Sequence, residues 1–311
     1  MSEETQDTGS GTERREHGGR SDRDDDEDDR TRAQDLSSLD PERYYDEYGH
    51  EEWNRLEATL GGHLEFEGTT TYLERYLPNS GHVLDAGGGA GRYAVWLAER
   101  GYSVTLADQS RRQCEIARAK VREHGVADRV TVERADLRAL PFAGDRFDAV
   151  CCTGGPLSHL TDESSREQAL AELRRVARSE SPVFVSVMGR LALLQNLVRS
   201  VEYAPGILAM VESGTYDADF AREHLTHLEE PGFTACHFFR AAELEAVLES
   251  AGFEIEALVG LEGIAANVGE RQDLEDLEPD VVEAVTEAVR GLRTDPAVVD
   301  WSNHILVVAR A

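Results

Sequence analysis

The residues that most clearly suit chemistry form a glycine-rich segment after a predicted strand. The apolar run 83–86 contains one carboxylate, Asp85, and is followed at alternate positions by Gly87, Gly89 and Gly91. Because glycine has no Cβ, the backbone can turn sharply here and a ligand can lie against the main chain. Residues 93–100 then show helical apolar periodicity, so the segment predicts the strand, loop and helix that open a nucleotide-type α/β site.

The spacing of these glycines disfavours a dinucleotide ligand. A dinucleotide fingerprint is G-x-G-x-x-G, and counting from either Gly87 or Gly89 places another residue type at the last glycine position. Asp85 would also repel a pyrophosphate, whereas it would suit a cation such as the ammonium group of a methionine moiety. Asp108 ends a second apolar run, 104–107, where a carboxylate can accept hydrogen bonds from both hydroxyls of a ribose.

These segments together resemble the motifs of class I S-adenosylmethionine (SAM) methyltransferases. The resemblance covers about residues 66–190 and returns in two predicted strands, 253–258 and 304–309. It implies that SAM is the cofactor and that the fold is the Rossmann-like sheet of that family, closed by an antiparallel last strand. It also implies that Asp108 holds the ribose.

The resemblance implies roles for further residues. Asp136 falls where the family places an acid against the adenine amino group, Leu137 falls beside the ring, and Thr153 begins the loop that passes the methionine part. Gln109 follows the ribose acid, and Tyr45 belongs to an aromatic N-terminal helix of the kind that caps the pocket. The predicted cofactor-binding residues are Asp85, Gly87, Gly89, Gly91, Asp108, Gln109, Asp136, Leu137, Thr153 and Tyr45.

The reaction expected from this resemblance is transfer of a methyl group from SAM to a small-molecule acceptor by in-line displacement. The sulfonium already activates the methyl group, so the protein supplies mainly proximity and orientation. His159 follows the fourth predicted strand and is a candidate base for a hydroxyl or amine proton, the alternative being a positioning or packing histidine. No metal site is expected, because His224 and His227 lack an evident third ligand.

The elements that must position these residues alternate between strand and helix. This alternation predicts an α/β fold with a doubly wound, mostly parallel, seven-stranded sheet. Residues 189–237 interrupt the alternation and predict a helical insertion after the fifth strand, either a cap over the acceptor pocket or a simple packing subdomain. We expect a disordered acidic tail over 1–38, one methyltransferase domain over 39–311, and a surface helix on the sheet within 268–296.

The net charge and the lysine content of the chain indicate the ionic setting in which the protein works. Its net charge is −29, and Lys120 is its single lysine. Charge of this size destabilises a compact state by self-repulsion, which concentrated salt screens. We therefore expect a halophilic protein of a salt-rich cytoplasm, the alternative being an ordinary acidic protein. No leader, membrane span or basic stripe is evident, so neither a membrane nor nucleic acid is an expected partner. The sequence indicates no oligomeric state.

Two other functions remain open at this stage. One is a dinucleotide-dependent oxidoreductase of the NAD type, which the missing third glycine and Asp85 disfavour. The other is a non-catalytic SAM-binding module that uses the fold and the acidic tail for interaction. The motif alone does not separate that module from an enzyme, because it contains no obligatory catalytic base.

Overall fold

A computed structural model of the protein describes residues 35–267 and 271–311. Its strands, in chain order, are β1 (His82–Ala86), β2 (Ser103–Asp108), β3 (Val130–Arg134), β4 (Ala149–Cys152), β5 (Pro182–Met188), β6 (Thr215–Tyr216), β7 (Cys236–His237), β8 (Glu254–Gly260) and β9 (His304–Arg310). Its α-helices are α1 (Pro41–Tyr48), α2 (Glu51–Ala58), α3 (Leu60–Tyr76), α4 (Arg92–Glu99), α5 (Arg111–Glu123), α6 (Glu163–Val176), α7 (Arg190–Arg199), α8 (Ile207–Ser213), α9 (Ala218–His224), α10 (Ala241–Ser250), α11 (Pro279–Leu292) and α12 (Pro296–Val299).

Seven of these strands form the predicted doubly wound sheet, in the order β3-β2-β1-β4-β5-β9-β8. Neighbours from β3 to β5 pair in parallel, and β9 runs antiparallel to both β5 and β8. Strand β4 is buried at every position and β5 at all but its last, as expected for strands covered by helices on both faces. The order of strand addition reverses beside β1, and ligands of such sheets bind beyond the carboxyl ends of the strands at that point.

The helices next to the site begin at the caps that the sequence provides. The Ser110 hydroxyl accepts a hydrogen bond from the Gln113 backbone N–H at 3.0 Å, so α5 starts directly after the acid that ends β2. Gly91 is the N-cap of α4 and has a φ of +89°, a left-handed conformation that favours glycine. The glycine-rich loop is therefore fixed between β1 and α4.

The interruption after β5 contains helices and the two-stranded antiparallel pair β6–β7. Helices α7, α8 and α9 lie within it. Met210, Phe220 and Leu225 are buried in its own apolar cluster. The insertion is thus held together by a separate small core.

Two sequence-based boundaries need correction. Residues 1–34 of the predicted tail 1–38 lie outside the described residues, but Asp35 donates its backbone N–H to the Glu229 carbonyl at 3.2 Å, and Ser37 and Ser38 belong to a 3₁₀ helix that ends at the buried Leu39. Its carbonyl accepts a hydrogen bond from the Ala235 backbone N–H at 3.1 Å. The surface helix expected on the sheet is α11, and its buried Val289 packs with Leu60 and Leu64 of α3 instead.

In the described part of the chain, no helix is both long and apolar enough to cross a lipid bilayer.

Candidate functional site

A narrow cavity of about 110 Å³ lies at the carboxyl ends of β1, β2 and β4. Its floor is the glycine-rich loop, whose first residue, Gly87, donates its backbone N–H to the Ala107 carbonyl of β2 at 2.7 Å. Gly87 has a φ of +73°, and a Cβ there would lie 2.4 Å from Cγ of Pro156. Only glycine therefore allows this close approach of the loop and Pro156 at the cavity floor.

The cavity brings together most of the residues that the sequence singled out. They come from α1, the glycine-rich loop, the end of β2 and the loops after β3 and β4. The predicted residues that line the cavity are Tyr45, Gly87, Gly89, Asp108, Gln109, Asp136, Leu137, Thr153 and His159. The hydroxyl of Thr153 is buried and has no hydrogen-bond partner among the described residues, so it is available to a ligand.

The other two predicted residues, Asp85 and Gly91, do not line the cavity. Asp85 is fully buried behind the loop, and a Cβ at Gly88 would lie 2.6 Å from its Oδ2. Burial and the nearby charge of Asp108 raise the pKa of Asp85 to about 7. Gly91 faces Ala117 of α5. Both residues shape the loop from behind, and direct cofactor contact by either stays a prediction.

The carboxylate of Asp108, the predicted ribose-binding group, is held by two backbone N–H groups. Its Oδ2 accepts the Gly89 N–H at 2.9 Å, and its Oδ1 accepts the Ser110 N–H at 2.8 Å. Burial raises the pKa of Asp108 to about 6, although these two N–H groups oppose that rise. Each carboxylate oxygen can accept more than one hydrogen bond, so both retain acceptor capacity for a ligand hydroxyl.

Asp136 lies in the same cavity but is engaged by a partner that the sequence analysis did not consider. The guanidinium of Arg138 donates to its Oδ2 at 2.6 Å, and this interaction lowers the pKa of Asp136. Arg138 is only two positions from Asp136, so this ion pair could have been predicted from the sequence. The arrangement fixes the Asp136 carboxylate as an ionised acceptor.

His159 is half-buried, and both of its ring nitrogens have partners. Its Nδ1 lies 3.1 Å from the Ala235 carbonyl, which can only accept, so Nδ1 carries the hydrogen. Its Nε2 then accepts from the Tyr45 hydroxyl at 2.9 Å. Burial lowers the pKa of His159 to about 4. The geometry therefore favours the positioning alternative over a free general base.

A second and larger cavity, of about 570 Å³, adjoins the first. The two cavities share Tyr45, Glu52, Arg55 and Gly154, which mark the junction between them. The sequence patterns do not single out Glu52 and Arg55. Their only local signal is an acid and a base three positions apart on an amphipathic helix, which is common on protein surfaces.

One end of the larger cavity carries a buried network of charges. The guanidinium of Arg55 donates to both carboxylate oxygens of Glu65. His304 Nδ1 lies 2.7 Å from Glu262 Oε1 and 3.5 Å from Glu65 Oε2. Although burial opposes it, the charges of Glu65 and Glu262 raise the pKa of His304 to about 9. The network comes from segments that are more than 200 residues apart in the chain.

Three members of this network have the spacing of metal ligands. Glu65, Glu262 and His304 offer ligand atoms within 4.8 Å of one another. However, Arg55 occupies both oxygens of Glu65, and the raised pKa of His304 means that its Nδ1 keeps a proton. A metal ion would have to displace these cations. The expectation that this chain holds no metal stays a prediction.

Comparisons with known proteins agree with this geometry. A family profile described as a methyltransferase domain matches residues 83–180. The methyltransferase GfsG of Streptomyces halstedii is 39% identical over 133 residues, which are 42% of this chain and 44% of that protein. A ubiquinone biosynthesis O-methyltransferase of Salmonella arizonae is 30% identical over 190 residues, covering 57% of this chain and 75% of that enzyme. The chain spans about half the length of GfsG and of the putative methyltransferase YqeM of Bacillus subtilis, of which it covers 51%.

Solved structures share the fold at low sequence identity. A SAM-dependent methyltransferase of Methanosarcina mazei has a TM-score of 0.54 and 19% identity, covering 77% of this chain and 96% of that one. The [4+2]-cyclase SpnF has a TM-score of 0.50 and 22% identity, covering 78% and 79% of the two chains. These likenesses concern the fold, which also occurs in a protein named for another reaction.

Proposed function

The chain belongs to the class I SAM-dependent methyltransferases, and on that premise we propose that it transfers the methyl group of SAM to a small-molecule acceptor. The observation that carries this proposal is the junction of the two cavities at Tyr45, Glu52, Arg55 and Gly154. A narrow site floored by glycine main chain opens there into a larger apolar one, so a donor and an acceptor can meet. In-line displacement requires this adjacency above all.

In the proposed complex, each part of the cofactor meets groups of matching chemistry. Asp108 accepts the ribose hydroxyls, with Gln109 beside it. Asp136 accepts from the adenine amino group while Leu137 covers the ring. Thr153 offers its unpaired hydroxyl near the methionine part. SAM itself supplies an activated methyl group on its sulfonium, so the residues of this chain act mainly by binding and orienting.

The proposed acceptor is a small molecule, and the proposed setting is a salt-rich cytoplasm. The larger cavity is of a size that small ligands occupy. The net charge of −29 disfavours nucleic acid, whose phosphates would be repelled. The same charge, with Lys120 as the single lysine, favours a protein adapted to concentrated salt. The choice of a small-molecule acceptor depends on the cavity and on the net charge, and the choice of a salt-rich setting depends on composition alone.

Calorimetry separates this proposal from the oxidoreductase alternative. In concentrated KCl we expect S-adenosylhomocysteine (SAH) and SAM to bind with micromolar dissociation constants, and NAD not to bind. Asp108→Ala should abolish measurable SAM binding, whereas Asp108→Asn, which keeps one acceptor oxygen, should retain part of it. Binding of NAD without binding of SAM would exclude the proposal.

Turnover separates an enzyme from a SAM-binding module. Release of SAH is measured with the purified protein, SAM and a panel of small hydroxyl, amine and thiol compounds. We expect release that depends on at least one acceptor and is lost in Asp108→Ala. Tight SAM binding without release for any acceptor would favour the module.

A further inference from the structure

Resting on the proposed function, we infer that the acceptor is a largely apolar molecule that presents an uncharged or cationic hydroxyl or amine group to Glu52. Glu52 receives the proton that this group loses on methylation. The acceptor occupies the larger cavity with its reacting end at the junction with the cofactor cavity, and it carries no carboxylate or phosphate at that end.

The body of the acceptor is defined by the insertion. Its side of the cavity is lined by apolar side chains, among them Leu193, Leu197, Met210, Phe220 and Phe238. Met210 is fully buried, and Phe220 and Phe238 are 8% exposed. Contact with such a wall removes apolar surface of the acceptor from water, which is favourable, and the wall offers few hydrogen bonds. The cavity therefore selects an acceptor with an apolar body.

The opposite end of the cavity is acidic. The carboxylates there outnumber the cations, since Glu51, Glu52, Glu65 and Glu262 face only Arg55 and His304. Both cations are already committed, because Arg55 is bound to Glu65 and His304 lies between Glu65 and Glu262. An anionic acceptor would therefore meet uncompensated negative charge in a partly desolvated site.

Glu52 differs from the two buried acids of this cavity, Glu65 and Glu262, in having free acceptor capacity. Its closest ionic partner is Arg55 Nε at 3.5 Å, and its side chain is 19% exposed, whereas Glu65 is 1% exposed and bound at both oxygens. Glu262 accepts from Ser302, from His304 Nδ1 and from the His304 backbone N–H. Glu52 is thus the carboxylate that can still bind a hydroxyl or amine.

Glu52 also stands where the reacting atoms must meet. It lines both cavities, and a Cβ at Gly89 of the cofactor loop would lie 3.4 Å from its Cγ. Burial raises the pKa of Glu52 above that of an ordinary glutamate, so its carboxylate accepts a proton more readily than a surface acid does. Position and basicity therefore coincide in this one side chain.

The proposed step balances without another reactant. The acceptor's oxygen or nitrogen lone pair forms the new bond to the methyl carbon. The carbon–sulfur bond breaks, and its electron pair stays on sulfur, which becomes an uncharged thioether. The proton of a hydroxyl or an uncharged amine passes to the Glu52 carboxylate in this step and then to solvent, whereas an ammonium acceptor gives one proton to Glu52 before the step, which frees its lone pair.

The test compares three probes of the same shape by calorimetry on the SAH-loaded protein at pH 7.5 in concentrated KCl. The probes are 4-butylphenol, 4-butylbenzylammonium and 4-butylbenzoate. Salt screens a partly buried charge such as Glu52 less than a surface charge, so the charge preference persists. We expect the phenol and the ammonium to bind at least tenfold more tightly than the benzoate. Equal or tighter binding of the benzoate, or no binding of any probe, overturns the inference.

Variants show whether Glu52 is responsible. Glu52→Gln should reduce the phenol-to-benzoate preference to threefold or less, mainly by improving benzoate binding. Glu115→Gln removes the same charge from the exposed face of α5 and should leave the preference unchanged. An unchanged preference in Glu52→Gln contradicts the assignment. SAH is titrated first in every sample, so failure of SAH to bind counts against the proposed function and is distinguished from failure of the probe preference.

Discussion

The hydroxyl of Tyr45 donates a hydrogen bond to Nε2 of His159 across 2.9 Å, although the two residues are 114 positions apart. This bond joins α1 to the short helical turn after β4, and the Gln113 side chain adds a second tie by donating to the Tyr45 carbonyl at 2.7 Å. Tyr45 lines both cavities. Helix α1 is therefore held over the site where the cofactor is proposed to bind.

Tyr45→Phe keeps the ring and removes only this hydroxyl. One such hydrogen bond contributes about 0.5–1.5 kcal/mol, so we expect SAM and SAH each to bind about 2- to 10-fold more weakly. Calorimetry with SAH measures this change. Tyr44→Phe is the matched control, because Tyr44 lines only the larger cavity and should leave SAH affinity unchanged. Equal affinity in wild type and Tyr45→Phe would show that this tie does not support cofactor binding.

Asp85 should make the ligand-free protein less stable as the pH rises. Its pKa is about 7 in the folded chain and about 3.9 in an unfolded one. Between these values the folded state holds a proton that the unfolded state has lost, so stability falls as pH increases through this range. The fall amounts to roughly 1.4 kcal/mol per unit of pKa difference.

Asp85→Asn carries no titrating group, so it should remove this component of the pH dependence. The measurement is the free energy of unfolding from urea titrations at pH 4, 5, 6 and 7. The slopes of the two proteins against pH are compared, because the buried amide changes the absolute stability as well. Parallel slopes would mean that Asp85 is ionised in the folded protein throughout this range.

His304 predicts a second pH effect at higher pH. Its pKa is raised to about 9, above the value near 6.5 of an unfolded histidine. The stabilisation that its charge provides is complete below about pH 6.5 and is lost as the pH rises through about 9. We expect unfolding free energy to decrease across this range in the wild-type protein.

His304→Gln tests this effect by leaving Glu65 and Glu262 without their shared cation. Breaking a buried ion pair in this way costs about 3–5 kcal/mol, so the variant should be strongly destabilised at pH 6.5. The difference from wild type should shrink towards pH 9. Thermal and urea unfolding measure both the loss of stability at pH 6.5 and its decrease towards pH 9. A difference that does not depend on pH would assign the loss to packing alone.

The acidic composition predicts a strong response to salt. With a net charge of −29, raising KCl from 0.1 M to 2 M should increase the unfolding midpoint by several degrees, because the Debye length falls from about 10 Å to below about 3 Å. Sucrose of equal osmolality serves as the control, since it is excluded from the surface without screening charge. An equal rise in sucrose would argue against adaptation by charge screening.

Local sequence determined the framework of this protein. The apolar strand, the alternate glycines and the cap at Ser110 are each fixed by neighbours within a few positions, so β1, its loop and α5 are predictable. The apolar pattern of 189–237 is also a local one, and because it breaks the alternation of strand and helix it predicts an insertion there. The predicted tail boundary at 38 lies too late because Asp35 bonds to Glu229 and Leu36 packs against the insertion, contacts across nearly 200 positions that no local pattern reveals.

Tertiary structure alone decided how the charged and titratable groups are paired. His159 looks like a base in the sequence, yet its nitrogens are taken by Tyr45 and Ala235. Glu65 and His304 look like ordinary polar residues, yet they share one buried network. The physical reason is that glycine turns and helix caps act over a few bonds, whereas burial and ion pairing depend on distances through space that only the folded chain sets.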